Sequence, residues 1–148
     1  MVGTVVLKTK DICEALSIGR HQLRIWTDIL SPYNKQQTKA RSARHYTPAD
    51  LLFFAVINHL EDTFGLTPQV ISRFSNELSS CIREPQSLVI DTFFFINVEK
   101  NVCERLDNRV SAKEGIIVDI KPAQMLVCEF LGLSVQQPQF QFGLVKVK

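Results

Sequence analysis

The stretch ARSARHYTPADLLFF, Ala40–Phe54, sets Arg41, Arg44 and His45 directly ahead of a capped and almost wholly apolar helix. Its second half is a helix start. Thr47 is the N-cap, Pro48 suits a first helical position that needs no amide hydrogen, and Asp50 sits near the positive end of the helix dipole. Leu51, Leu52, Phe53, Phe54, Ala55, Val56, Ile57 and Leu60 follow, so this helix, predicted to about Asp62, has to be buried on most sides. The chain before it has the opposite character. From Ser31 to Thr47 there is no acidic residue, no helical period and four cations, Lys35, Lys39, Arg41 and Arg44, which predicts an extended hairpin or loop with a basic edge. Bulky cations beside a buried segment call for a partner.

Upstream of that loop lie two short amphipathic patterns. Ile12, Ala15 and Leu16 repeat at helical spacing from Thr9 to Leu16, with Lys10, Asp11 and Glu14 on the other face. After Ser17-Ile18-Gly19, a second helix sets Leu23, Trp26 and Leu30 on one face, flanked by Ile25 and Ile29, while Arg20, His21, Gln22, Arg24 and Thr27 point elsewhere. It ends at Ser31-Pro32, because proline cannot donate to a helix and restrains the residue before it. Two short helices joined by a three-residue turn form a helix-turn-helix unit. Downstream, Thr67-Pro68 repeats the start signal, and Val70, Ile71, Phe74 and Leu78 predict one further one-sided helix, with the first domain closing near Ser80.

The remainder reads as a small mixed α/β module. SLVIDTFFFINV (87–98) has the β-branched and aromatic content of a central strand, Asn97–Asn108 reads as a helix capped by Asn97, and GIIVDI (115–120) is another strand. PAQMLVCEFLG (122–132) is a helix with proline at its front and Gly132 as its stop, and QFQFGLVKVK alternates as a last strand. The fold class expected is therefore α+β, with domains at 1–82 and 83–148.

Length and composition agree with one ordinary domain or two small ones, since 148 residues at 45% hydrophobic content can bury a real core. No apolar run is long enough to span a membrane and the start lacks the pattern of a signal peptide, so a cytoplasmic protein is expected. The four cysteines, Cys13, Cys81, Cys103 and Cys128, form no CxxC pair, which suits buried structural thiols better than a disulfide framework or a zinc site. The net charge of +2 hides an asymmetry: residues 1–48 hold eight Lys/Arg against three acids, and residues 49–110 hold five against nine. A basic end on a near-neutral chain is a footprint for a polyanion. Enzyme signals are weak. There is no glycine-rich phosphate loop, HExxH or Gly-x-Ser-x-Gly, and the acidic group Asp91, Glu99, Glu104 and Asp107 matches no metal motif and reads as a solvated face. No cofactor or metal is expected.

The N-terminal half resembles the winged helix-turn-helix of the MerR family of bacterial and phage regulators. Leu23-Arg24-Ile25-Trp26 stands where that family has its Leu-Arg-aromatic-aromatic run, Pro32 follows, and Arg44-His45-Tyr46-Thr47 is similar to its Arg-x-Tyr wing motif ahead of a capped helix with Asp50 and Leu51. Gly65-Leu66-Thr67-Pro68 matches the turn before its fourth helix. The resemblance covers residues 4 to about 80. Ser17 replaces a usual glycine, Gly19 replaces a Ser/Thr cap, and the long C-terminal helix that pairs family members as a coiled coil is missing.

The resemblance implies four helices with a basic wing and a transcriptional regulator that binds double-stranded DNA as a homodimer on an inverted repeat. By helix-turn-helix geometry Arg20, His21 and Gln22 are candidates for base contact. Arg24 would grip a phosphate or base edge, Lys39, Arg41, Arg44 and His45 would hold phosphates along the wing, and Tyr46 would pack at its base or donate its hydroxyl to the DNA backbone. Trp26 reads as core. A protein of this kind would be nucleoid-associated and would bend promoter DNA to realign contacts for RNA polymerase. The alternative is an excisionase-like factor that bends DNA for a recombinase of a mobile element. Residues 83–148 would serve dimerisation, an effector or a partner.

Overall fold

The computed structural model describes residues 5–35, 44–84, 92–106 and 114–132. The order of elements is β1 (Leu7–Lys8), α1 (Thr9–Leu16), α2 (Arg20–Ile29), a 3-10 turn (Tyr33–Lys35), β2 (His45–Tyr46), α3 (Pro48–Phe64), α4 (Pro68–Ile71), α5 (Ser75–Arg83), β3 (Phe93–Asn97), β4 (Val102–Arg105), β5 (Ile116–Asp119) and α6 (Lys121–Leu131). The mixed α and β content expected from the sequence is present. α3, whose residues Pro48 to Ile57 are all buried, packs against α1, β2, α5 and α6.

The start of α3 forms as its sequence dictates. Thr47 is extended, its Oγ1 accepts the Asp50 amide at 3.2 Å, and the Asp50 carboxylate accepts the Thr47 amide at 2.7 Å, a reciprocal capping box. At its other end Gly65 takes a left-handed φ of 68° and its amide bonds back to Glu61, while the Leu66 amide bonds to Leu60. Phe54 lies at the centre of an aromatic cluster, 5.8 Å from Trp26, 4.9 Å from Tyr33, 5.7 Å from Tyr46 and 5.6 Å from Phe53 between ring centroids. Each such pair is worth about 0.5–1.5 kcal/mol beyond its buried area. The cluster joins α2, the 3-10 turn, β2 and α3.

Three expectations are corrected. The single helix expected from Thr67-Pro68 to Leu78 is two helices, α4 and α5, broken where Phe74 leaves helical geometry at φ −123°, ψ 15°. Serine hydroxyls compete for the backbone there: Ser72 donates to the Gln69 carbonyl at 2.6 Å and Ser75 to that of Ser72 at 3.4 Å, while Ser75 also accepts the Ser31 amide. Ile71, Phe74 and Leu78 are still all buried, so the apolar face survives the break. The N-terminal part thus has more than the four helices expected. Second, the helix expected over Asn97–Asn108 is a turn followed by β4. Asn97 does accept the Lys100 amide at 2.9 Å, as a cap would, but Asn101 takes a left-handed φ of 57° and sends the chain back along β3. Third, Thr27 is buried, with its hydroxyl satisfied by the Arg24 carbonyl at 3.1 Å. Among the described residues β2 pairs with β1, with Leu7 opposite Tyr46 and Lys8 opposite His45.

The second sheet has the order β4-β3-β5, antiparallel throughout, which makes the described part of the expected central strand central. Phe94, Ile96, Cys103 and Val118 lie on its covered face and join the same core as Trp26 and Phe54. α6, with proline in its first turn and Gly132 at φ 71° closing it, packs on α3. The expected last strand of the chain lies outside the described residues.

Candidate nucleic-acid interface

α2 is divided lengthwise. Leu23, Trp26 and Thr27 are buried against the core, while Arg20, His21, Arg24 and Asp28 are exposed. Positions 20, 24 and 28 follow the four-residue repeat of one helix edge, with His21 beside them, so the outer edge is cationic over its first two turns. Gly19, extended at φ −84°, ψ 162°, caps the helix without a side-chain acceptor. The first-turn amides therefore add positive potential beside Arg20 and His21.

A carboxylate holds the pose of this helix. The Trp26 indole stacks on Phe54 with an interplanar angle of 11°, and its Nε1–H donates to Glu61 of α3. The Gln22 amide donates to both oxygens of the same carboxylate, at 3.3 and 3.4 Å. Burial pushes the Glu61 carboxyl above its ordinary value, and the Trp26 and Gln22 donors pull it back. Gln22, expected to face DNA bases, thus turns its amide towards α3. Glu61 went unrecognised in the sequence; a buried indole N–H needs an acceptor, but nothing local says that it lies 35 residues away.

The second group is built on β2. His45 is exposed opposite exposed Lys8, and Arg44 is half-buried just before it. Tyr46 is buried: its ring packs on Tyr33 and Phe54 and its hydroxyl bonds to Thr9, so it forms the base of the ribbon. Burial pushes that hydroxyl up, and the charge of Arg44 pulls it down. Lys39 and Arg41 lie outside the described residues. The two groups share neighbours. The Cys13 thiol is pushed up by burial and pulled down by Arg20, Cys13 is within electrostatic reach of Tyr46, and Tyr46 feels Arg44. Arg20 at the start of α2 and Arg44 at the foot of β2 are thus linked electrostatically through Cys13 and Tyr46.

Behind the ribbon lies a buried polar hub. Oδ1 of Asp50 accepts the Tyr33 hydroxyl and, at 2.9 Å, the Arg83 guanidinium, while Oδ2 serves the Thr47 cap. Arg83 is further held by the Ser79 hydroxyl at 3.1 Å. One carboxylate thus ties the 3-10 turn after α2, the cap of α3 just after β2, and the end of α5. Burial pushes the Tyr33 hydroxyl well up, with the Asp50 charge adding to it.

Of the acidic group singled out in the sequence, Glu99 sits in the β3–β4 turn and Glu104 on β4, while Asp91 and Asp107 lie outside the described residues. Among the described residues no three His, Cys, Asp or Glu side chains converge as metal ligands, and no helix is long and apolar enough to cross a membrane.

A short amphipathic helix, a tight turn and a second helix with a cationic outer edge are the helix-turn-helix arrangement of DNA-binding regulators. Residues 7–78, just under half of the chain, match the family of MerR HTH family regulatory proteins, and this segment is a MerR-family helix-turn-helix domain. No curated protein and no solved structure matches the chain.

Proposed function

We propose that the chain is a sequence-specific double-stranded-DNA-binding transcriptional regulator of bacterial or phage type, acting without a catalytic step. The first turns of α2 enter the major groove, where Arg20 and His21 meet base edges and Arg24 a phosphate or base edge. Gln22 fixes the pose of the helix through Glu61. Arg44 and His45, with Lys39 and Arg41 of the preceding loop, hold phosphates as a wing, and Tyr46 anchors it. The observation that carries this reading is the cationic outer edge of α2, exposed at Arg20, His21 and Arg24.

One helix-turn-helix unit supplies few contacts, so the working form is a homodimer on an inverted repeat, with residues 83–148 as the dimerisation, effector or partner module. RNA polymerase is the partner this mode of regulation needs. The test is retention of sheared host genomic DNA by the purified protein at physiological salt, beside a variant carrying Arg24→Ala and Arg44→Ala. Enrichment of a few fragments sharing a motif, lost in the variant, is expected. Retention of nothing, or of everything equally by both proteins, would overturn the reading.

A further inference from the structure

Two of the four cysteines meet. Cys81 in the last turns of α5 and Cys103 on β4 are free thiols, only 7% and 6% exposed. The Cys81 thiol donates to the Cys103 carbonyl oxygen at 3.6 Å, where α5 packs on β4, and each thiol shifts the other's protonation. The pair is built into the contact between helix and sheet, with an exposed ion pair, Arg105 to Glu84 at 3.7 Å, reaching from β4 to the residue after α5. Cys13 and Cys128 have no such arrangement: Cys13 is half-buried on α1, and Cys128 is buried in α6. Simple packing would require neither two thiols in contact nor a charged pair beside them.

We propose that Cys81 and Cys103 form an oxidisable dithiol whose substrate is hydrogen peroxide and whose product is an intramolecular disulfide joining α5 to β4. Cys81 is the attacking thiol. The Cys103 hydrogen bond, the Arg105 charge and the Arg105 backbone N–H stabilise its thiolate and hold it below the ordinary thiol value, against burial and Glu84. Cys103 is pushed far up by its bond to Cys81 and by burial, so it stays protonated until it resolves the intermediate.

In the first step the Cys81 thiolate attacks one peroxide oxygen. The S–O bond forms, the O–O bond breaks, and the departing hydroxide takes up the proton that Cys81 released, leaving a sulfenic acid and one water. In the second step the Cys103 sulfur attacks the Cys81 sulfur. The S–S bond forms, the S–O bond breaks, and the leaving hydroxide carries off the Cys103 proton as a second water. Two thiols have lost two protons and two electrons, and one hydrogen peroxide has become two waters. The crosslink falls two residues before Arg83, whose guanidinium holds Asp50 at the cap of α3, so the oxidised bond acts on the support behind the ribbon. The thiol chemistry itself does not depend on DNA binding.

The test treats the reduced full-length protein with hydrogen peroxide, alkylates the remaining thiols, and reads intact mass and peptide map. Expected are the loss of two hydrogens per chain, a Cys81–Cys103 linked peptide, and the same product in Cys13→Ser and Cys128→Ser. Cys103→Ser should give no intramolecular disulfide but a Cys81 sulfenic acid trapped by dimedone, and Cys81→Ser no product at Cys103. Should either of these last variants fail to fold, the wild-type peptide map alone decides. Four alkylatable thiols after peroxide that oxidises glutathione, or a disulfide that joins two chains or involves Cys13 or Cys128, would overturn the proposal.

Discussion

Replacing Asp50 by alanine removes one carboxylate and three consequences follow from its partners. The Thr47 amide loses its acceptor and the capping box opens, which costs about 1 kcal/mol. The Tyr33 hydroxyl, in a residue only 2% exposed, is left without its carboxylate, at about 1–3 kcal/mol for a buried unsatisfied donor. Arg83 loses an ion pair, but its side chain is 35% exposed and recovers water, so this part is worth roughly 0–1 kcal/mol. The total is roughly 3 kcal/mol, which for a chain of this size lowers Tm by about 6–12 °C. Urea unfolding followed by fluorescence of the only tryptophan, Trp26, and by circular dichroism measures it. The companion is Arg83→Met, which leaves Asp50 with Thr47 and Tyr33 and should cost about 1 kcal/mol or less. If Arg83→Met costs as much as Asp50→Ala, or Asp50→Ala costs under about 1 kcal/mol, the carboxylate is not the hub.

Glu61 predicts a pH effect. Its folded carboxyl is held above the ordinary 4.5, so the folded state binds the proton more tightly, and this contribution to stability is present below 4.5 and lost as pH rises through the raised value. Glu61→Gln keeps an acceptor for Trp26 and cannot titrate, so its Tm relative to wild type should climb as pH rises from 4.5 and then level off; a constant difference would contradict the burial of Glu61. Gly115→Ala puts a Cβ 2.6 Å from the Ile96 carbonyl oxygen and 2.5 Å from the Phe95 ring, so β3 has to shift, and a loss of about 1–3 kcal/mol in the same urea assay is expected. Ser17 holds a left-handed φ of 54°, and Gly19 caps α2 with no side chain and open space around its Cα. Ser17→Gly should stabilise by about 0.5–1 kcal/mol and Gly19→Ser by about 0.2–0.4 kcal/mol, and a lower Tm in either variant would refute the cap assignments. On DNA, Arg44→Ala should reduce the slope of log affinity against log salt by about 0.9 if Arg44 holds a phosphate, and an unchanged slope would remove it from the interface.

Local signals carried the helices a long way. Thr47-Pro48 and Gly132 mark ends that depend on a few neighbouring residues, and α3 and α6 formed within a residue or two of where the sequence put them. The segment after Asn97 misled because an asparagine that accepts the amide three residues on does so in a helix cap and in a turn alike. What separates the two is whether a strand is waiting alongside, and β3 is. The break between α4 and α5 has a similar source, since serines at 72 and 75 tolerate either conformation and Ser31, far along the chain, takes up one of them.

By itself the sequence determined the periodicity that makes α1 and α2 a helix-turn-helix pair, the outer placement of Arg20, His21 and Arg24, and the inner placement of Trp26, because side-chain direction on a helix follows from spacing alone. Only the tertiary structure decided that Gln22 and Trp26 converge on Glu61, that Tyr33 and Arg83 converge on Asp50, that Lys8 lies beside His45, and that Cys81 meets Cys103. Each of these joins residues at least 17 positions apart, and such a pairing is set by how the elements pack together, which no local pattern encodes.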